Sequence, residues 1–214
     1  TCRAASNPER FTVIDVARAW AQDQFEVWYQ PQFDLRDGRL LGAEALVRLR
    51  REDGSVAGPG EFLHHVMTLG LMSRLGEWIL RSSLASFESL EGAPTLSVNV
   101  CASQLDVDGA GDTLSRIVQE SSFPTALVTL EVTEEERLCE SGVENLDILS
   151  DAGIRISLDD FGTGYSGLEL LSKLPFHEVK LDRSLVQRMG EERTASVCRA
   201  VTNLADTLGI RVVA

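Results

Sequence analysis

The chain has 214 residues, a formal net charge of −13, 43% apolar residues and 25% charged residues. This length suits a single domain with a substantial core. The acidic balance argues against a general binder of DNA or of anionic membranes, because no broad basic surface is available for phosphates. Four widely spaced cysteines without a CxxC pair argue against a zinc site and fit a reduced, cytoplasmic setting, with Cys101 and Cys198 as small core residues.

The first part of the chain is predicted to hold a helix and an antiparallel pair of strands. Residues 1–10 lack periodicity and are predicted to be a linker or tail, so the folded domain covers residues 11–214. Phe11–Gln24 is predicted to be an amphipathic helix. Its apolar residues at helical spacing are Phe11, Ile14, Ala17, Trp20 and Ala21. Phe25–Gln30 alternates like a strand, Asp37-Gly38 signals a hairpin, and Arg39–Leu49 is the returning strand.

Helices and strands alternate along the rest of the chain. Helices are predicted at residues 60–69, 73–90, 112–120, 142–152, 167–174 and 191–208, and strands at 95–100, 127–133, 155–160, 178–182 and 210–214. Repeated units of this size indicate parallel strands joined by helical crossovers. Seven strands in all predict a barrel short of its last strand, because an eight-stranded barrel needs ~250 residues. An open doubly wound sheet is the alternative, although no glycine-rich phosphate turn follows an early strand.

Two adjacent carboxylates, Asp159 and Asp160, follow a buried strand and begin a glycine-rich loop. Neighbouring residues on a strand face opposite ways, so both acids can share one site only where the strand ends. By itself, this pattern suits a solvated turn or a helix cap equally well.

Other strands also end in oxygen-bearing groups, and together these groups favour a shared site over a solvated turn or a helix cap. They are Glu44, Asn99 and Glu131, with Lys180 on a further strand. In a barrel these groups would meet at one mouth. Carboxylate and amide oxygens without histidine or thiolate suit Mg²⁺ or Mn²⁺. Two such ions ~3.5–4 Å apart can activate a water for phosphoryl transfer, which Lys180 could assist.

Six ordered motifs carry a resemblance to a known family. They are Tyr29-Gln30-Pro31, Leu41-Gly42-Ala43-Glu44-Ala45-Leu46-Val47-Arg48, Ser97-Val98-Asn99-Val100, Leu130-Glu131-Val132-Thr133-Glu134, the segment 159–166 and Val179-Lys180-Leu181-Asp182-Arg183-Ser184. From about Phe25 to Ala214 the chain resembles the EAL-domain family, bacterial phosphodiesterases that act on cyclic di-GMP. The resemblance implies an α/β fold, a modified TIM-type (β/α)8 barrel with an antiparallel first strand.

The resemblance also implies roles for matching residues. The first ion would be bound by Glu44, Asn99, Glu131 and Asp159, and the second by Asp159 and Asp160. Glu44, Asp160 and Lys180 would be catalytic, with Lys180 contacting the nucleophilic water. Gln30, Leu46 and Arg48 would bind the substrate, with Arg48 on a phosphate. Glu134 would hold the glycine-rich loop and couple it to metal binding and to dimer formation.

Simpler interpretations stay open for several of these residues. Arg48 could be a surface ion pair, Glu134 a helix N-terminal acid, and Gln30 a plain hairpin residue. Trp28 is predicted, like the other two tryptophans, to be a core residue, or else to pack near the mouth. In the family, a glutamate after Val212-Val213-Ala214 completes the second ion site, and a later Gln-Gly-Tyr strand helps to bind the substrate. We therefore expect the natural chain to continue.

The leading prediction from the resemblance is metal-dependent hydrolysis of cyclic di-GMP to linear pGpG, with two Mg²⁺ or Mn²⁺ ions as cofactors. A catalytically inactive cyclic di-GMP receptor is the alternative, and a barrel enzyme of another metal–oxygen chemistry is a third class. The resemblance implies a homodimer through the barrel and upstream sensory or GGDEF domains, with no DNA partner. A cytoplasmic location is expected, including that of a cytoplasmic domain of a membrane-anchored protein.

Overall fold

The computed structural model describes residues 11–90, 92, 94–134, 138–162 and 167–214. The predicted tail at residues 1–10 and residues 163–166 of the glycine-rich loop lie outside these ranges. The strands are β1 (Phe25–Phe33), β2 (Leu40–Arg50), β3 (Val56–Ala57), β4 (Thr95–Asn99), β5 (Val128–Thr133), β6 (Arg155–Phe161), β7 (Glu178–Leu181) and β8 (Arg211–Val213). The helices are α1 (Val13–Ala21), α2 (Pro59–Thr68), α3 (Met72–Phe87), α4 (Ala102–Leu105), α5 (Ala110–Glu120), α6 (Glu140–Asp151), α7 (Gly167–Lys173), α8 (Arg183–Gln187) and α9 (Glu192–Leu208).

One curled sheet contains all of these strands, in the order β1-β2-β4-β5-β6-β7-β8, with the short β3 paired to β2. The first pair, β1 and β2, is antiparallel, and every step from β2 to β8 along this order is parallel. The predicted α/β barrel architecture with an antiparallel first strand is confirmed. Helical crossovers connect the parallel strands, as parallel pairing requires.

The hairpin forms where Asp37-Gly38 predicts it. Gly38 has a φ of +71°, a conformation that glycine adopts without a steric penalty. Phe25 pairs with Leu49 and Gln30 with Glu44, so the register of the hairpin is fixed along most of both strands. The sequence prediction ended β1 at Gln30, but the strand continues through Pro31 to Phe33.

Two helices present a different face to the core from the one predicted. In α1 the buried residues are Val16 and Ala19, whereas Ile14 is 70% exposed. The helix begins later than predicted, because Thr12 and Asp15 form a capping box at its start. In α9 the apolar spacing predicts Val197, Val201, Leu204 and Leu208 on the inner face. Val201 is buried as predicted, but Val197 and Leu208 are exposed, and Thr194, Cys198 and Ala205 are buried instead.

Three short elements and two side chains also differ from the sequence predictions. The strand β3 and the helices α4 and α8 are too short to produce a recognisable period. Cys198 is buried as predicted, but Cys101 is only partly buried. Trp28 is 47% exposed and is therefore not a core residue.

Within the described part of the chain, no helix has both the length and the apolar character needed to cross a bilayer.

Candidate metal centre

The sheet brings the predicted oxygen ligands together at one level of its inner surface. Asn99 on β4 lies beside Glu131 on β5, and the next strand places Asp159 beside Thr133. Because paired residues of adjacent strands point to the same side of a sheet, these side chains share one face. Glu44 lies in the middle of β2 rather than at its end, since β2 extends along β1 and β3 beyond its pairing with β4.

Lys180 is the cation at the centre of this cluster. Its Nζ donates to Glu131 Oε2 at 2.7 Å, to Glu44 Oε2 at 2.8 Å and to Asp159 Oδ2 at 3.2 Å. Burial lowers the pKa of the Lys180 ammonium, but the attraction of the three carboxylates outweighs burial, so its pKa is raised above the ordinary value. One ammonium therefore faces three carboxyl groups in a largely buried position.

Glu131 is the most deeply buried of the three acids. The side chain is fully buried, and its Oε1 has no hydrogen-bond partner among the described residues. Burial raises the pKa of Glu131 to about 8, although Lys180 acts in the opposite direction. An unpartnered oxygen in a buried position is costly unless a ligand, an ion or a water satisfies it.

The donor set fits a hard divalent cation. One ligand oxygen from each of Glu44, Glu131 and Asp159 can be chosen so that all three lie within 4.8 Å of one another. Asn99 donates its Nδ2 to Glu44 Oε1 at 2.8 Å, which leaves its amide oxygen as a further possible ligand. Carboxylate and amide oxygens suit Mg²⁺ or Mn²⁺, and three acids around one lysine leave negative charge for an ion to neutralise.

The raised pKa of Glu131 predicts a dependence of stability on pH. A carboxyl whose pKa rises from 4.5 in the unfolded chain to about 8 in the folded one binds more protons when folded, so stability falls as the pH rises through this window. Relative to Glu131→Gln, the cation-free wild type should lose on the order of 1–3 kcal/mol of unfolding free energy between pH 5 and pH 8. Urea unfolding in EDTA measures this difference, and parallel pH profiles for the two proteins would contradict it.

A β-bulge, rather than the end of a strand, accommodates the two adjacent acids. Leu158 pairs with Val179 and Phe161 with Leu181, so Asp159 and Asp160 both stand opposite Lys180. Asp160 has a φ of +55°, which interrupts the regular alternation of side chains along β6. Among the described residues, the close group of acids comprises Glu44, Glu131 and Asp159, and Asp160 is exposed beside it.

Glu134 joins the two described ends of the glycine-rich loop. Its Oε2 accepts a hydrogen bond from the Gly162 amide at 2.7 Å, and its Oε1 accepts one from the Gly167 amide at 2.8 Å. Gly167 is needed at this position, because a Cβ there would lie 2.6 Å from the Phe161 ring and 2.8 Å from Glu134 Oε1. Glu134 is only 5% exposed and does not serve as a solvated helix-terminal acid.

We expect Glu134→Ala to lower the free energy of unfolding by about 2–3 kcal/mol, because it leaves the buried Gly167 amide without its charged acceptor. Glu134→Gln keeps one acceptor oxygen and should lie between alanine and the wild type. Glu144→Ala on the exposed face of α6 is the control and should change stability by less than ~0.5 kcal/mol. Urea unfolding measures all three, and equal losses for Glu134→Ala and Glu144→Ala would contradict the role of Glu134 in holding the loop.

The predicted substrate residues lie on one face of the β1–β2 hairpin. Gln30 is exposed and directly opposite Glu44, and Leu46 is opposite Trp28. Arg48 has its guanidinium carbon 5.8 Å from the centre of the Trp28 ring. Within the described ranges, Arg48 forms no ion pair, so the interpretation as a surface ion pair is not supported.

A cavity of about 310 Å³ adjoins the acid cluster. Glu44, Asn99, Gln104 and Thr133 contribute polar groups to its wall, and apolar side chains of β2, α2 and α3, such as Leu63 and Ile79, form most of the remainder. A mostly apolar pocket beside a few convergent polar groups is the usual setting of a small-molecule site. His64, His65 and His177 are not part of the acid group, and His177 Nδ1 instead accepts a hydrogen bond from the Ile156 amide.

The sequence patterns do not indicate one further set of contacts on the β1–β2 hairpin. Glu26 and Arg50 form a bidentate ion pair, and the Trp28 indole donates to Glu26 at 3.0 Å. The sequence shows that positions 26, 28 and 30 alternate along β1. That these positions pair with 48, 46 and 44 of β2 follows only from the register in the structure.

Comparisons with known proteins match almost the whole chain. Residues 14–214 match the sequence profile of the EAL domain. The chain is 36% identical over 208 residues to the cyclic di-GMP phosphodiesterase RocR of Pseudomonas aeruginosa. The aligned region covers 94% of this chain and 53% of RocR. It is 32% identical over 207 residues to the cyclic di-GMP phosphodiesterase NbdA of the same organism, covering 94% of this chain and 26% of NbdA.

Among solved structures, the PaMucR phosphodiesterase in complex with c-di-GMP superposes with a TM-score of 0.84 at 29% identity, covering 94% of this chain and 84% of that one. The chain thus spans about half of RocR and about a quarter of NbdA.

Proposed function

The chain belongs to the EAL-domain family, and from this membership we propose that it catalyses the hydrolysis of cyclic di-GMP to linear pGpG with the help of two divalent cations, Mg²⁺ or Mn²⁺. RocR, NbdA and PaMucR, which it resembles, are phosphodiesterases by name. The observation that carries the proposal is the cluster of Glu44, Glu131 and Asp159 around Lys180, with a Glu131 oxygen that has no hydrogen-bond partner among the described residues.

The cations would be held by the oxygens gathered at the mouth. The first would be bound by Glu44, Asn99, Glu131 and Asp159, and the second by Asp159 and Asp160. When bound, such ions supply Lewis-acid activation of water and stabilise the charge that develops on the phosphate. The bulge at Asp159 and Asp160 supports this division, because it places two successive acids opposite one lysine.

The remaining residues of the site would act on the water and on the substrate. Lys180, which is partly buried and positively charged, would donate a hydrogen bond to the attacking water and orient it. Water adds to phosphorus, the bond from phosphorus to the 3′ oxygen breaks, and that oxygen takes up a proton, which gives the linear dinucleotide. Arg48 would bind a phosphate, and Gln30 and Leu46 would contact the rest of the ligand from the same face of the hairpin.

Turnover by the full-length protein tests this proposal. Incubation with cyclic di-GMP and Mg²⁺ or Mn²⁺, followed by chromatography, should yield pGpG, and EDTA should abolish its formation. Binding of cyclic di-GMP with Mg²⁺ but without product would indicate the receptor function instead. No affinity for the dinucleotide would reject both functions and point to a different metal–oxygen chemistry.

Other features follow from the resemblance and stay predictions. They are the homodimer through the barrel, the upstream sensory or GGDEF domains, the coupling of Glu134 to dimer formation and the cytoplasmic location.

A further inference from the structure

Three side chains of the hairpin, Glu26, Trp28 and Arg50, form a connected set beside the predicted phosphate-binding arginine, Arg48. Glu26 and Trp28 are on β1, and Arg48 and Arg50 are on β2, all on the same face of the two strands. Glu26 is the direct cross-strand partner of Arg48. Opposite charges in directly opposed positions of an antiparallel pair normally attract each other, so this register favours an ion pair between Glu26 and Arg48.

The observed bonds of Glu26 go elsewhere. Its Oε1 accepts from Arg50 Nε, and its Oε2 accepts from Arg50 Nη2 at 2.9 Å and from the Trp28 indole N–H at 3.0 Å. Both carboxylate oxygens are therefore engaged by groups other than the arginine directly opposite. A bidentate bond to Arg50 combined with a third donor fixes the orientation of the carboxylate more firmly than a single ion pair does.

Arg48 is left with contacts that do not neutralise its charge. Its guanidinium lies 5.8 Å from the centre of the Trp28 ring, and its NH1 donates to the backbone oxygen of Val47 at 2.9 Å. In the described ranges of the chain, no carboxylate pairs with it. This is notable in a protein with a net charge of −13, where acidic partners are abundant.

We propose that Arg50 and Trp28 hold Glu26 away from Arg48, so that the Arg48 guanidinium stays available for a phosphate of the ligand. This inference rests on the proposed function and deepens it, because it assigns Glu26, Trp28 and Arg50 as positioning residues for a phosphodiester contact. Trp28 contributes twice: its N–H binds the carboxylate and its ring supports the guanidinium. An aromatic face attracts a cation without competing for the anion that the cation is to bind.

The test uses two variants: the first removes the Arg50 partner of Glu26, and the second also removes the charge of Glu26. In Arg50→Gln the carboxylate is free to turn to Arg48, and the KM for cyclic di-GMP should rise about three- to fivefold, the effect of one competing, partly exposed ion pair. The kcat should stay unchanged, because the acid cluster is untouched. In the double variant Glu26→Gln with Arg50→Gln, the competing charge is gone and the KM should return to the wild-type value.

Arg51→Gln is the matched control for Arg50→Gln. It removes the same charge from the next residue, and Arg51 pairs with Glu61 on α2 rather than with a residue of this set. If both single variants raise the KM equally, or if the double variant fails to recover, the loss comes from general electrostatics or folding and the inference is overturned.

The failure of this inference can be separated from that of the proposed function. If the wild type neither hydrolyses nor binds cyclic di-GMP, the proposed function fails, and a crystal structure of Arg50→Gln then decides the inference alone. Glu26 bonded to Arg48 in that structure supports it. Glu26 still bonded only to Trp28, with Arg48 unpaired, overturns it.

Discussion

Replacement of Glu44 by glutamine is expected to lower kcat/KM for cyclic di-GMP by at least ~10²-fold and to weaken divalent-cation binding. Loss of a residue that only hydrogen-bonds a metal ligand costs roughly 10–100-fold in affinity or activity, and loss of a direct ligand should cost more. Glu44 bonds both Asn99 and Lys180, so the loss of its charge also disturbs the neighbouring ligand. Calorimetric titration with Mn²⁺ reports the binding separately from turnover.

Glu52→Gln is the control for this replacement. Glu52 follows β2 by two residues, its side chain is 74% exposed, and its one described ion pair is with Arg18. This variant should match the wild type in both turnover and cation binding. If Glu44→Gln behaved in the same way, Glu44 would not be a ligand of the ion.

Replacement of Lys180 by methionine is expected to destabilise the cation-free protein strongly, by about 3–5 kcal/mol, because it removes the ammonium that three carboxyl groups share, one of them fully buried. The lysine bonds Glu44, Glu131 and Asp159, and Glu131 is fully buried. Because a divalent cation can replace the lost charge, Mg²⁺ or Mn²⁺ should restore most of this stability, although turnover should stay low.

Urea unfolding with EDTA and with Mn²⁺ measures both effects. Arg116→Met, which removes a cation from the exposed face of α5, provides a control that should change the unfolding free energy far less. A Lys180→Met variant as stable as the wild type in EDTA would show that the lysine does not balance the acids. Destabilisation that Mn²⁺ fails to reverse would show that the cluster does not bind the ion.

The gathering of the cluster's oxygen-bearing groups on one face of the sheet could be predicted from the sequence, because parallel strands with helical crossovers present corresponding residues side by side, although Glu44 and Glu131 lie within their strands rather than at the predicted ends. This reasoning places Asn99 beside Glu131, as the register shows. The hairpin was equally predictable, since Asp37-Gly38 indicates the turn, whereas the register of β1 and β2, which is irregular between Gln32 and Phe33, is a finding of the structure.

What the sequence could not show depends on interactions between distant segments. The bulge at Asp159 and Asp160 arises from pairing with β7, and the two residues alone are compatible with a simple strand end. The strand register alone would predict an ion pair between Glu26 and Arg48. The side chains instead pair Glu26 with Arg50, which depends on geometry that the register does not contain. In α9, Val197 fits an apolar spacing yet is exposed, because spacing does not specify which face of a helix packs against the sheet.

The most direct test of the metal centre is a crystal structure of the full-length protein grown with Mn²⁺ and a non-hydrolysable analogue of cyclic di-GMP, with anomalous scattering used to locate the ion. We predict an anomalous peak bound by Glu44, Asn99, Glu131 and Asp159, with Glu131 Oε1 no longer without a partner. Mn²⁺ absent from this position, with Lys180 still bonded to all three carboxylates, would contradict the account.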